Sequence, residues 1–299
     1  VYKRQVISSA LLGTISGNAV ANVATTGAVT IPLMKKTGYK DYFAGAVEAV
    51  ASTGGQFLPP VMGAGAFIMA ELLSLSYTDV IIAAVVPATL YFVSVFMMVD
   101  LEAVRLNLKG MLPDEVPDAK KVFRGKGHLG IPVLALIYML LVMKMSVTKA
   151  GLYSVVLIVL LSWLKKDTRM GLARIIKALY EAARSAVGIG AVISTAGLII
   201  GTVGMTGLGT RFSSVILAIA GDNLFLVALF TALICIVLGM GLPTTAAYVI
   251  SVSVASATMT RIGVPGLAAH LFVFYFACIS TITPPVAASS YTAAAIAKA

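Results

Sequence analysis

Ser52-Thr53-Gly54-Gly55-Gln56-Phe57-Leu58-Pro59-Pro60-Val61 interrupts one long apolar run, and Ile279-Ser280-Thr281-Ile282-Thr283-Pro284-Pro285-Val286 interrupts another. Two adjacent prolines cannot continue an α-helix: neither has an N–H, and the first restricts the residue before it. Each run therefore reads as a membrane span that breaks near mid-depth and restarts at the prolines. Irregular backbone at that depth persists only where protein or a polar cavity satisfies it. Broken spans at matching places in two halves of a chain point to a transporter binding site.

The two halves align without gaps at an offset of 225 residues. That register pairs Ala21 with Ala246, Met34 with Met259, Gly38 with Gly263, Ala44 with Ala269, and both Pro-Pro-Val runs; Lys36 meets Arg261. Identity is thin outside the motif, but Gly and Pro-Pro-Val falling in one register indicate an internal repeat.

Hydrophobic residues make up 59% of the chain and charged residues 11%. A soluble domain carries about 25% charged residues, so the expected class is an all-α polytopic membrane protein. The net charge of +10 does not indicate nucleic acid, because the basic residues sit in short segments between spans, as the positive-inside bias requires. Cys235 and Cys278 lie in apolar spans, far from metal-ligand spacing, and read as small buried hydrophobes. With helix at the first residues and Ala297-Lys298-Ala299 stopping in mid-pattern, a piece of a longer protein is expected.

In order, residues 3–15 and 18–34 are short apolar helices around Ser16-Gly17-Asn18, each near the lower limit for a span and together a re-entrant hairpin. The first broken span covers 41–74, interrupted at 54–60, and 79–100 is a full span. A basic loop (Arg105, Lys109, Lys120, Lys121, Arg124, Lys126) precedes spans at 129–147 and 150–164. Residues 165–184 alternate Lys165, Lys166, Arg169, Arg174, Lys177 and Arg184 with Leu172, Ile175, Ile176, Leu179 and Tyr180. Apolar spacings of three and four make this an amphipathic surface helix. A Gly-rich span (186–206) and an amphipathic piece (211–220) follow. The second hairpin has arms 223–238 and 244–260 around Gly239-Met240-Gly241-Leu242-Pro243, and the second broken span covers 266–297. The expected organisation is first-repeat transport elements in 1–77, scaffold and connecting helices in 78–210, and second-repeat elements in 211–299.

Five crossings separate the bases of the hairpins, so the repeats should be inverted, with the hairpins entering from opposite sides. With the first hairpin entering from the cytoplasm, only Lys144, Lys149, Arg211 and Arg261 of the 22 Lys and Arg residues face outward. The reverse orientation would violate the positive-inside bias.

Each hairpin's second helix begins at mid-membrane, where free N–H groups and the positive dipole end attract anions. Ser16, Gly17 and Asn18 at one tip, and Gly241, Pro243, Thr244 and Thr245 at the other, are candidate substrate-binding residues; Pro243 is expected in the first helical turn. The breaks offer carbonyls and hydroxyls at Ser52, Thr53, Gly55, Gly239, Ser280, Thr281 and Thr283, with no carboxylate beside them. Neutral oxygens suit sodium and supply no group that carries a proton near neutral pH. The competing reading of Ser, Thr and Gly is close helix packing.

Glu48 carries a proton or pairs with Lys40 near an interface; Glu71 is expected in solvent, and His270 at the outer interface. There is no zinc-type His/Glu motif, no paired intramembrane aspartates and no Walker motif, so an intramembrane protease or an ATP-driven pump lacks its machinery.

Ser16–Val23 with Ile31–Tyr39, Ser52–Val61, and Leu238-Gly239-Met240 with Ile282–Val286 resemble the large membrane subunit of TRAP (tripartite ATP-independent periplasmic) transporters. Gly241-Leu242-Pro243-Thr244-Thr245 is more similar to the fused, TAXI-type permeases. The resemblance implies an elevator mechanism, with 165–184 matching the arm helices that brace the moving body. It implies small organic-acid substrates, a periplasmic substrate-binding protein, a small membrane subunit or fused equivalent, and a bacterial or archaeal inner membrane. The arm and scaffold helix that precede the first hairpin in that family are missing from this sequence. A secondary transporter, not an enzyme, is expected, with sodium as coupling ion, a proton through Glu48 as the alternative ion, and no other cofactor. A standalone sodium–dicarboxylate elevator symporter and a non-transporting membrane enzyme or receptor are the alternatives.

Overall fold

A computed structural model describes residues 2–108 and 127–299. Of the basic loop, Lys109, Lys120, Lys121, Arg124 and Lys126 lie outside the described residues. Among the described residues the chain is helical, without a strand.

The helices are α1 (Tyr2–Ser16), α2 (Ala19–Lys36), α3 (Asp41–Gly55), α4 (Ala64–Leu72), α5 (Tyr77–Arg105), α6 (Ile131–Leu141), α7 (Val147–Ser162) and α8 (Leu172–Thr206). They continue as α9 (Leu208–Ala220), α10 (Leu224–Gly239), α11 (Thr244–Arg261), α12 (Gly266–Ile279) and α13 (Ala288–Ala297). Both hairpins thus fall within about two residues of the expected positions, and the first break is shifted from the expected 54–60 because Gly54 and Gly55 still belong to α3. Gly17 makes the first tip's turn at φ 62°, which glycine adopts without steric penalty. The first break covers 56–63; the second is a short 3-10 turn at Ser280–Ile282 followed by 283–287. Both Pro-Pro bonds are cis.

The chain divides into two compact units, Val1–Gly110 with Ile193–Ala299, and Met111–Val192. In the first unit, α3 packs against both arms of the first hairpin and against α13. The small residues Gly13 and Gly55 make that crossing close: a Cβ on Gly55 would lie 2.6 Å from the Gly13 Cα. On α5 the buried residues recur at spacings of three and four (Val80, Ile81, Ala84, Ala88, Phe92, Val95, Val99), so one stripe faces the unit. The opposite face exposes Ile82, Val86, Leu90, Val93, Met97 and Leu101, the surface a lipid-facing span presents. Among the described residues α5 is the one unbent helix long and apolar enough to cross a membrane by itself; α10 and Gly266–Ile282 are apolar but shorter.

Phe57, in the first break, is wedged edge-on between Tyr91 of α5 and Tyr275 of α12, with ring centroids 4.9 and 4.7 Å away. Tyr91 also donates its hydroxyl to the Val50 carbonyl at 3.0 Å. The break of one repeat is therefore held by a helix of the other.

The expected surface helix at 165–184 and span at 186–206 are one continuous helix, α8, of 35 residues. Its interior holds several glycines but no proline. A glycine weakens a helix by only about 1 kcal/mol, so nothing in this stretch forces a stop. The chain then bends by 65° into α9 at Gly207, whose φ is 64°. Ser213 and Thr258 join α9 to α11 through a buried hydroxyl contact of 2.8 Å.

In the second unit, α6 and α7 pack side by side. α6 is shorter than the expected span at 129–147, because Gly127–Gly130 is a 3-10 turn and 142–146 form the connection, while α7 begins before the expected 150–164 and ends before it. Leu152, Tyr153, Val155, Val156 and Leu160 leave much of α7 apolar and exposed.

Candidate functional site

The N-termini of α2 and α11 open onto one cavity of about 240 Å³, lined among others by Asn18, Gly241, Pro243 and Thr244. Ser280 and Thr281 of the second break complete its polar wall. Asn18 caps α2, its Oδ1 accepting from the Ala21 N–H at 3.1 Å. The first-turn N–H groups of Ala19 and Val20, both lining the cavity, have no intrahelical acceptor. Pro243 caps α11 from just outside the helix rather than from the first turn, and no side chain accepts from that helix's first N–H groups. Two positive helix ends therefore meet at a space sized for a small ligand, which is the arrangement that binds a carboxylate.

The hydroxyls of the second break give their hydrogens to the backbone of their own helix. Ser280 Oγ donates to the Ala277 carbonyl at 2.8 Å and Thr281 Oγ1 to the Cys278 carbonyl at 2.7 Å. Each hydroxyl oxygen thereby keeps its acceptor lone pairs. Thr283 donates likewise to Ile279 at 2.9 Å. Gly239 has no side chain to cover Ser280: a Cβ there would lie 2.5 Å from the Ser280 Oγ.

The remaining predicted residues lie elsewhere. Gly17 packs on Gly63, where a Cβ would come within 3.0 Å of the Gly63 Cα, and Ser16 Oγ donates to the Gly13 carbonyl at 3.4 Å. Thr245 is half-buried in the first turn of α11. Thr53 is buried and donates to its own helix at the Ala49 carbonyl, 2.8 Å away. Gly55 is the contact point of α3 with α1. The carbonyls of residues 53 to 56 accept turn hydrogen bonds from Gln56, Phe57, Leu58 and Gly63, so the first break is closed on itself. Thr14 ties it further: its hydroxyl donates to the Leu58 carbonyl at 2.6 Å and accepts from the Met62 N–H at 3.0 Å.

Two expectations need correction. The first break does have a carboxylate beside it, and Glu48 does not pair with Lys40. Glu48 is 3% exposed and accepts from Ser9 Oγ at 2.8 Å, Ser52 Oγ at 3.1 Å and Thr30 Oγ1 at 2.6 Å, and also from Thr26 Oγ1. Lys40 instead stands over the Tyr42 ring, and Lys35 pairs with Asp41 at 3.0 Å. Glu48 lies about two helical turns into α3, on the face covered by the hairpin, so its carboxylate meets hydroxyls and not the interface. Ser52 Oγ also faces Asn22 Nδ2 at 2.9 Å and Ser9 Oγ at 3.0 Å. Ser52 gives its hydrogen to Glu48 and accepts from Asn22, and the Ser9 oxygen stands against its remaining side, so these side chains, and not an open cavity, surround it.

Sequence reasoning passed over Ser9, Asn22, Thr26, Thr30 and Thr14. A signal existed: Asn22, Thr26 and Thr30 recur every four residues and mark one polar face in an apolar arm. Cys235 and Cys278 are buried, Glu71 is exposed, and the His270 Nδ1 meets the Tyr248 hydroxyl at 2.9 Å, turning that ring towards α11.

Against models of known families, residues 3–299 match the one described as the tripartite ATP-independent periplasmic transporter, DctM component. A search of curated proteins gave no match. With the match running over nearly the whole chain, and two helix ends facing one polar cavity, the chain belongs to the DctM family, the large membrane component of TRAP transporters.

Proposed function

We propose that the chain imports a small organic acid by a sodium-coupled elevator mechanism, with the acid's carboxylate held between the two hairpin tips. The family works with a periplasmic substrate-binding protein and a small membrane subunit in organic-acid transport; delivery by such a protein, with the small subunit separate or fused as in TAXI-type permeases, completes the reading. The carrying observation is the shared cavity of Asn18, Gly241 and Thr244 at the ends of α2 and α11. Its size, about 240 Å³, falls below the roughly 300–1,000 Å³ of drug-sized sites and favours a small acid.

The sodium site belongs at the second break, with Ser280, Thr281 and Thr283 as its side-chain oxygens. The first break is left out, since Ser52 is buried among Glu48, Asn22 and Ser9, Thr53 donates to its own helix and Gly55 packs on Gly13. In proteoliposomes charged with substrate and binding protein, an inward sodium gradient should drive uptake by the wild type. Thr281→Val should weaken the sodium dependence several-fold at unchanged expression. Undiminished sodium dependence in that variant would remove Thr281 from the ion site.

For the elevator, tips and breaks move as one body, a reading supported by their shared compact unit and by the Thr14 clamp. Val286 lines the cavity and is 42% exposed, and both native cysteines are buried. A Val286→Cys variant should be labelled by an impermeant thiol reagent from one side without substrate and from the other during turnover. Labelling from one side only, under every condition, would argue for a fixed body.

A further inference from the structure

We propose that Glu48 is a proton-binding site, separate from the sodium and substrate sites, which links the first hairpin to the first broken helix. The carboxylate is buried, and among the described side chains all its partners are neutral hydroxyls. Burying a carboxylate is costly unless hydrogen bonds or a counter-charge compensate it, and four hydroxyls serve the ionised form in place of a counter-charge. Here the charged groups on the surrounding helices stand at their ends. Asp41 of α3 and Lys35 of α2 are bonded to each other, roughly 10 Å along α3 from Glu48 by helix rise. Lys36 closes α2, Lys3 and Arg4 open α1, and Asp100, Glu102 and Arg105 lie on the last turns of α5. Asp79 opens α5, and on α13 Tyr291 is exposed, with Lys298 just past the helix end. Below the carboxylate the wall is apolar: a Cβ on Gly27 would meet Glu48 Cγ at 3.2 Å, Ile31 and Ile296.

The hydroxyls around Glu48 have a second choice of acceptor. Thr30 Oγ1 lies 2.6 Å from Glu48 Oε2 and 3.0 Å from the Thr26 carbonyl. Thr26 Oγ1 lies within reach of Glu48 Oε1 and 2.6 Å from the Asn22 carbonyl. Each hydroxyl has one hydrogen to give. With Glu48 ionised, both hydrogens go to the carboxylate. With Glu48 protonated, the acid donates from Oε2 to Thr30 Oγ1, and Thr30 turns its own hydrogen to the Thr26 carbonyl. Both states are satisfied by rotation of a hydroxyl, one proton is taken from solution and returned to it, and no heavy-atom bond changes. Most of these oxygens contact one another directly, at 2.6 to 3.1 Å, so a proton fits between them and a metal ion does not.

The internal repeat supplies an independent argument. At the offset of 225, Glu48, Ser9, Asn22, Thr30 and Ser52 correspond to Val273, Ile234, Ala247, Ala255 and Ala277. Of the nest, only Thr26 keeps a hydroxyl counterpart, the buried Ser251; the same crossing in the second repeat is built without the carboxylate and the other polar groups, so packing does not require them. One turn from Ser9 towards the start of α1, Gln5 is buried with neither amide atom partnered among the described residues. One turn beyond Ser52, at the break, Gln56 is the same. Buried polar groups without partners are rare, and these two continue the polar line on either side of Glu48.

The test uses the purified full chain in nanodiscs. A pH-difference infrared spectrum should show the carbonyl band of a protonated carboxylic acid that Glu48→Gln removes and Thr30→Val displaces in frequency. In proteoliposomes with equal sodium on both sides, an inward proton gradient should raise wild-type uptake at least threefold and leave Glu48→Gln unaffected. Identical infrared spectra for wild type, Glu48→Gln and Thr30→Val would overturn the proposal; Thr30→Val keeps the negative charge and decides the matter if Glu48→Gln does not fold. The band present without any uptake would count against the transport reading and uphold the proton site.

Discussion

Replacing Gly55 with alanine should abolish most uptake, at least tenfold, and lower the melting temperature of the purified protein. The added Cβ would lie 2.6 Å from the Gly13 Cα, 2.9 Å from the Gly13 carbonyl carbon and 3.1 Å from the Ala10 carbonyl oxygen. These are backbone atoms, so no side-chain rotation can relieve the contact. Close approach through small residues is a main source of helix association in a bilayer, and overpacking costs about 1–3 kcal/mol even where relaxation is easy. Here relaxation must move α1, which carries the tip, the Thr14 clamp on the first break and Ser9 of the Glu48 nest. Gly151→Ala is the control: nothing lies within 4 Å of its Cβ position on α7, and uptake should not change. Normal melting and uptake for Gly55→Ala would mean that the α1–α3 crossing is wider than described.

The second large effect is expected at the tips. Asn18→Ala removes both the helix cap and the amide donor at one cavity wall, and Thr244→Ala removes a hydroxyl at the other. A hydrogen bond to a charged group is worth about 1.5–3 kcal/mol, so each change should raise the substrate KM roughly tenfold or more. The tips are surface positions within the cavity, so the Thr244→Ala melting temperature should stay at the wild-type value. Asn18→Ala should lose some stability as well, since a lost cap costs about 1 kcal/mol. Wild-type KM in both variants would place the carboxylate elsewhere. A rise in KM confined to Asn18→Ala, matching its stability loss, would give that residue a capping role alone.

How much was legible follows from the range of the interactions. Two prolines in a row forbid a helix wherever they occur, so both breaks could be read from the chain. The hairpin arms end within about two residues of the expected positions, because Gly17, Asn18 and Pro243 act on their own neighbours. The halt expected between 165–184 and 186–206 was misread: a change from basic amphipathic to glycine-rich composition alters what surrounds a helix, not whether the backbone continues. The Glu48 nest was missed because its members are 4 to 39 residues apart and come from three helices. Their meeting depends on the crossing of α1 and α2 over α3, which no local pattern states.

Membrane class, the repeat, the two breaks and the two tips are properties of the sequence by itself, since composition, offset and proline chemistry are local and survive without a fold. Which tip and break residues share a cavity is a property of the tertiary structure. Asn18, Thr244, Ser280 and Thr281 meet there, while Ser52 and Gly55 are turned to the first hairpin and Thr53 donates to its own helix. The same residue types stand at both breaks, and what separates their roles is what each faces: glycines and a buried carboxylate at the first, two open helix ends at the second.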